Sequence, residues 1–200
     1  MSFKAPFLKY DDIRSRAEAF LSQYHPTHSI PVPIEYIVDV CFEIDLFPVP
    51  GLQNVIDTVA CLSQDMKTIY VDDFVYYKRP TRYRFSLAHE IGHCVLHADI
   101  FQQLNFDTIE KWKSVITNEI PEDQYGFIEY HANAFAGLIL VPSDKLRDLF
   151  LDCVEKIKQN GVKFDEIESG AREIVESYIA RDFEVSSDVI HRRIEKDELW

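Results

Sequence analysis

The chain has 200 residues, 46% of them hydrophobic, and carries a formal net charge of −13. That length and apolar content suit one compact globular unit with room for a small helical appendage. The acidic balance argues against nucleic acid or an anionic membrane surface as the main partner, and the longest apolar run, near Ala134 to Val141, is far too short to span a bilayer.

Asp11 to Tyr24 has helical periodicity through Ile13, Ala17, Phe20 and Leu21 and stops before the breaker segment His25-Pro26-Thr27-His28. Pro33 then opens a second short helix that runs to Phe42. Ile44 to Val49 reads as a strand closed by Pro48-Val49-Pro50-Gly51, and Thr58 to Leu62 with Thr68 to Val71 read as a hairpin around Gln64-Asp65. A helix from Thr81 to Ala98 follows. The polar, aromatic stretch from Phe101 to Gly126 shows no clear period and is expected to be a partly ordered loop. The next helix, Asp123 to Leu140, ends before Pro142. A charged helix from Ser143 stops near Asn160-Gly161. Two more segments, Phe164 to Ala180 and Ser186 to Glu198, are helical in pattern. The expected organisation is a core over residues 1–142 and a helical segment over 143–200 packed on it.

The chemistry concentrates in Ala88-His89-Glu90-Ile91-Gly92-His93. Residues four apart on a helix lie about 40° apart around the axis and one turn along it, so both imidazoles can close on one ion. Glu90 projects beside them, placed to act on water as a general base without ligating the metal. Spacing alone is weak, since roughly two shuffled chains per hundred of this composition would carry the pattern. Context adds to it. Ser86, His89, Glu90, His93 and His97 share one arc of the helix, while Leu87, Ala88, Ile91, Cys94, Val95 and Ala98 form the opposite, apolar one.

A catalytic zinc takes three protein ligands and leaves one open position. The longer pattern with a third His six residues on is excluded, because Leu96 and Asp99 stand where it needs Gly and His. His97 lies about 12 Å along the axis from His89, too far to share an ion with both on a straight helix, and is expected to bond backbone or support a ligand. Asp99 would need a sharp turn of the chain. Glu129 is the best candidate, because Ala132 and Ala136 at i+3 and i+7 let its helix approach closely. His131 points about 200° away from it, so only one of the two can face the metal, and His131 remains the alternative ligand.

Arg84-Phe85-Ser86-Leu87-Ala88-His89-Glu90-Ile91-Gly92-His93 with Leu96-His97 resembles the active-site helix of the ImmA/IrrE family of metallopeptidases. Glu129-x-x-Ala132-Asn133-x-Phe135-Ala136, ending in Leu140-Val141-Pro142, resembles that family's second motif, with Val141 where Met is usual. The likeness covers residues 30–142. A weaker one continues in Ala180-x-x-Phe183-x-Val185-Ser186 and Arg193-Ile194. The resemblance implies an α+β, zincin-like metallopeptidase core with a small mixed sheet, followed by a helical C-terminal segment. It implies metal ligands His89, His93 and Glu129, and a zinc endopeptidase that cleaves a helix-turn-helix transcriptional repressor; Mn²⁺ is the alternative ion. Glu90 as base takes a proton from water and returns it to the leaving amine. Tyr130, His131 and a tyrosine before this helix compete as oxyanion stabiliser.

The substrate is expected on an edge strand, with Thr68–Val71 as the candidate. Phe183-Glu184-Val185-Ser186-Ser187 before a helix with Arg192-Arg193 resembles the turn of a helix-turn-helix. From Ser143 onward, however, ten Lys/Arg face fifteen Asp/Glu, a balance of −5, so no direct contact with nucleic acid is expected. The opening Met1-Ser2-Phe3-Lys4-Ala5-Pro6 lacks the apolar run of a signal peptide. Cys41, Cys61, Cys94 and Cys153 form no C-x-x-C pair and read as free thiols of a reducing, cytoplasmic compartment. The alternative function is a non-catalytic, metal-containing module that sequesters a repressor or antitoxin partner.

Overall fold

A computed structural model of the chain describes residues 5–104, 106–159 and 169–200. The first apolar period becomes α1 (Tyr10–Tyr24), with Ile13, Ala17, Phe20 and Leu21 buried. Pro33 sits at the N-cap of α2 (Ile34–Tyr36), which continues into a π-helical turn over Ile37–Cys41. Strand β1 (Asp45–Val49) follows, then a short α3 (Leu52–Ile56), which at five residues is too brief to show a sequence period.

Strands β2 (Ala60–Leu62) and β3 (Thr68–Asp72) are the two arms of the expected hairpin, paired antiparallel from Ala60↔Val71 to Leu62↔Ile69. On its other side β3 pairs parallel with β1, from Asp45↔Thr68 to Val49↔Asp72, so the sheet order is β1-β3-β2. The sheet is mixed, as expected, but Thr68–Val71 is its central strand and has no free edge. The reason is burial: Ile69 and Val71 are fully enclosed, and a strand with two ladders is where such β-branched residues pack best.

Asp72 closes the sheet and starts α4 (Asp73–Lys78), accepting from the Val75 amide at 3.3 Å and from the Gln53 amide at 3.1 Å. Pro80 then occupies the first position of α5 (Pro80–Leu96). Beyond it the expected loop is largely helical: the end of α6 (Ala98–Phe101), α7 (Ile109–Glu119) and the start of the next helix at Glu122 cover most of residues 101–126. Thr108 caps α7 by accepting from the Lys111 amide at 3.2 Å. Trp112, Val115 and Ile116 lie at i, i+3 and i+4 on its inner face. That stripe is one and a half turns long between polar residues, which hid it.

Helix α8 (Glu122–Leu140) packs on both α5 and α1 and forms the centre of the molecule. It is followed by α9 (Ser143–Gln159), α10 (Ser169–Phe183) and α11 (Ser187–Lys196). The expected helix end at Asn160-Gly161, the expected start at Phe164 and Met1–Lys4 lie outside the described residues. One apolar core runs from Ile13 through Leu87, Ile91, Phe135 and Ile139 to Phe183 and Ile194. Polar ties join α11 to the earlier helices: Arg193 Nη2 donates to Ser143 Oγ at 2.8 Å, and Arg14 Nη2 pairs with Asp197 Oδ1 at 2.7 Å. The four cysteines are unpaired. Among the described residues no helix is long and apolar enough to cross a membrane.

Candidate metal centre

The site begins with a missing methyl group. A Cβ on Gly92 would stand 3.1 Å from Ala132 Cα and 3.2 Å from Ala132 O. Gly92 against Ala132 therefore lets α5 and α8 meet backbone to backbone. Ala132 and Ala136 are fully buried in that seam, as the small-residue face next to Glu129 leads one to expect. The close approach brings a carboxylate of α8 over the two imidazoles of α5.

His89 Nε2 and His93 Nε2 are 3.0 Å apart. Glu129 spans them, with Oε2 at 3.4 Å from His89 Nε2 and Oε1 at 3.4 Å from His93 Nε2. A tetrahedral ion with bonds of about 2.0–2.1 Å has ligand-to-ligand edges of about 3.3 Å. The three side chains match that triangle, and their ligand atoms all lie within 4.8 Å of one another. Two nitrogens and a carboxylate cannot converge in this way without a cation or proton between them. The titration directions reflect that demand. Burial opposes protonation of His89, but the hydrogen bond to Glu129 and the charges of Glu90 and Glu129 raise it above the usual imidazole value. Burial would raise Glu129, but its hydrogen bonds to His89 and His93 hold it far below the ordinary carboxylate range.

Other residues fix the ring orientations. His89 Nδ1 donates to Asn133 Oδ1 at 3.2 Å, which leaves Nε2 for the ion. His93 Nδ1 lies 3.1 Å from His97 Nδ1, and His97 Nε2 lies 3.3 Å from His131 Nδ1. His131 bonds the Leu8 backbone in turn. His97 and His131 are both 1% exposed. Burial, with the charges of His93 and His131 adding, pulls His97 down to about 2, so it stays neutral. The expectation that His97 supports a ligand therefore agrees with its place. His131 stands behind His97, away from the three convergent atoms. Tyr125 occupies the first turns of α8, and its hydroxyl bonds Glu129.

Glu90 is 5% exposed and is not one of the three convergent groups. Burial raises its carboxyl above the ordinary range, against the charges of His89 and His93 and a backbone bond from Leu62 on β2. Glu90, His89, His93 and Glu129 line one small cavity with Thr58, Ala60 and Tyr125. The rest of the wall is apolar: Ile100, Phe101 and Leu104 after α5, Trp112 and Ile116 of α7, then Ile120 and Ile128. Its volume is about 30 Å³, and it reaches solvent beside Glu129, whose side chain is 30% exposed. Cys94 contributes no nucleophile, because burial, with the charge of Glu90 adding, pushes its thiol up to about 12. Sequence reasoning overlooked Gly92, Asn133 and the α7 cover. The first sits inside the motif as an unassigned position, and the other two depend on tertiary contact.

The sequence profile of the IrrE N-terminal-like domain, a family of peptidases, matches residues 58–195. No curated protein sequence matches the chain. Among solved structures, a transcriptional regulator of Mycobacterium tuberculosis shares the fold with a TM-score of 0.54 and 16% identity. The alignment covers 92% of this chain and 46% of that one, so the chain spans less than half of that protein's length. The profile covers well over half of the sequence and contains both histidines, Glu90 and Glu129, and the chain belongs to the family of IrrE N-terminal-like peptidase domains.

Proposed function

We propose that the protein is a zinc-dependent endopeptidase that cleaves a regulatory protein, a helix-turn-helix transcriptional repressor, and so relieves repression. One observation supports this reading above the others: His89, His93 and Glu129 converge like three corners of a metal tetrahedron beside a buried carboxylate that is not among them. His₂-carboxylate donor sets suit zinc and accept manganese. A zinc ion held there would supply Lewis acidity to the scissile carbonyl and lower the pKa of water towards 7.

The protein's own groups divide the remaining work. Glu90 accepts the proton of the attacking water and delivers it to the leaving amine nitrogen. Asn133 and His97 hold the two imidazoles in the ligating tautomer. Tyr125, bonded to Glu129 and lining the cavity, is the tyrosine placed to steady an oxyanion. Tyr130 lies outside that cavity and His131 is engaged with His97. The edge strand beside the site is β2, which contributes Ala60 to the cavity and the Leu62 amide to Glu90. A peptide adding to the sheet would lie there and not on β3. We further assign residues 143–200 as a helical appendage of the peptidase core, and place the protein in the cytoplasm.

The narrow cavity supports a second reading. So narrow a cavity holds no peptide side chain, and a substrate must lie across its open mouth beside Glu129 or displace α7. A module that never opens would bind a repressor or antitoxin and sequester it. Incubation with a candidate repressor and zinc or manganese separates the two. The peptidase yields one or a few discrete fragments and loss of operator binding, and Glu90→Gln yields neither. Equal relief of repression by Glu90→Gln, without fragments, would give the sequestering reading its place.

A further inference from the structure

A second cavity, of about 420 Å³, lies between α1, α5, α8 and α11. It shares no lining residue with the metal-centre cavity. Its interior is apolar and aromatic, with Tyr10, Phe85, Tyr130, Ala134 and Val189 on its walls. The charges around it are Arg82, Arg192, Arg193 and Lys196 against the single acid Asp188. That ratio reverses the composition of the chain, which has 34 acidic and 21 basic residues.

Arg193 is the informative member. It is 3% exposed. Its Nη2 donates to Ser143 Oγ at 2.8 Å and to Asp197 Oδ2 at 2.7 Å, but Nε and Nη1 have no acceptor among the described residues. These two donors are sealed from the open space of the cavity, so Arg193 contributes charge to its wall and no direct bond to an occupant. Two helices also start at the same place: Thr81 and Arg82 belong to the first turn of α5, and Ser186 stands at the N-cap position of α11 without a side-chain cap. Their amide ends add positive potential. Asp188 offsets part of it from the first turn of α11, and Asp197 is already committed to Arg14 and Arg193.

We propose that this cavity binds a small amphipathic anion: an aromatic or branched apolar body carrying a carboxylate or phosphate. The volume falls in the range of small-molecule sites. The apolar walls take the body, and the basic rim takes the charge. Separation from the metal-centre cavity favours a free acid over a side chain of the protein substrate, since a peptide at the metal need not pass here. The two cavities communicate through Asn133, which lines this one and accepts the His89 Nδ1–H. An occupant in contact with Asn133 changes the hold on His89, and metal and ligand therefore alter each other's affinity reciprocally. This coupling rests on the proposed metal site; the binding does not.

Calorimetric titration of the full-length, metal-free chain tests the binding directly. Phenyl phosphate is expected to bind with 1:1 stoichiometry and at least about tenfold tighter than inorganic phosphate or phenol. Arg82→Glu combined with Lys196→Glu, both on exposed side chains, is expected to weaken it about tenfold or more. Ala134→Trp, which fills the cavity, is expected to abolish it. Equal affinity for inorganic phosphate, or full affinity in the charge-reversed variant, overturns the proposal. So does tighter binding of an acidic aromatic peptide than of phenyl phosphate, which would give the cavity to the protein substrate.

Discussion

The Nδ1 atoms of His93 and His97 stand 3.1 Å apart, and this contact sets which nitrogen of His93 is free. With His93 Nε2 turned towards His89 and Glu129, the His93 proton sits on Nδ1 and is donated to His97. His97 then carries its proton on Nε2 and donates to His131, whose other nitrogen serves Leu8. In this set of tautomers every donor in the chain has an acceptor.

In the proposed metal site this relay makes His97 a support for the ion. His97→Ala should raise the metal dissociation constant about 10–100-fold without removing the site. Competition titration against a chelator of known affinity measures it. An unchanged constant would mean that the relay does not hold His93.

Gly92 makes a separate prediction. Gly92→Ala places a methyl group 3.1–3.2 Å from backbone atoms of Ala132, and backbone cannot swing aside as a side chain tip can. The variant should lose about 1–3 kcal/mol of stability, the usual cost of overpacking, and bind metal more weakly as α8 retreats. Denaturant unfolding and metal titration report both. Ala132→Gly should give little rescue, since the two nearest atoms are backbone.

The cover over the site should open more readily than its floor. Helix α7 buries only Val115, and Lys113 Nζ ties it to the Val55 carbonyl at 3.2 Å. By contrast α5 and α8 bury eight and nine residues respectively. Native-state hydrogen exchange should therefore show α7 amides exchanging well before those of α5 and α8. Equal protection across the three helices would leave a peptide only the open mouth beside Glu129.

What the sequence revealed about the site was what local periodicity can carry. His89, Glu90 and His93 lie on one helix face by spacing alone, and Glu129 was legible from its small neighbours Ala132 and Ala136. Fold class followed from the same patterns: the hairpin, the entering strand and the long helices are where the apolar periods place them. What remained hidden depends on distance in the fold. Thr68–Val71 looks the same as an edge or a central strand until β1 is seen beside it. Helix α7 has too short a stripe to be distinguished from a loop. His131, 34 residues from His97, reveals its role only when α5 and α8 are packed together.

A pH effect is expected at the other end of the molecule. The hydrogen bond to Glu176 raises His191 above its ordinary value, with Glu195 and Asp188 adding and burial opposing. A raised value means the contribution is complete below about pH 6.5, the unfolded value, and fades as pH climbs through the folded one. The ring is half exposed, so the effect is small. His191→Gln should lower Tm at about pH 5.5 and leave it unchanged at about pH 9, the wild type being measured alongside.

Metal content of three purified variants tests the central assignment most directly. Glu90→Gln should retain one bound divalent ion per chain and lose proteolysis, because in the proposed mechanism Glu90 handles protons and ligates nothing. Glu129→Ala should lose the ion, and His131→Ala should keep it. An ion lost from Glu90→Gln, or held tightly by Glu129→Ala and lost from His131→Ala, would contradict the account.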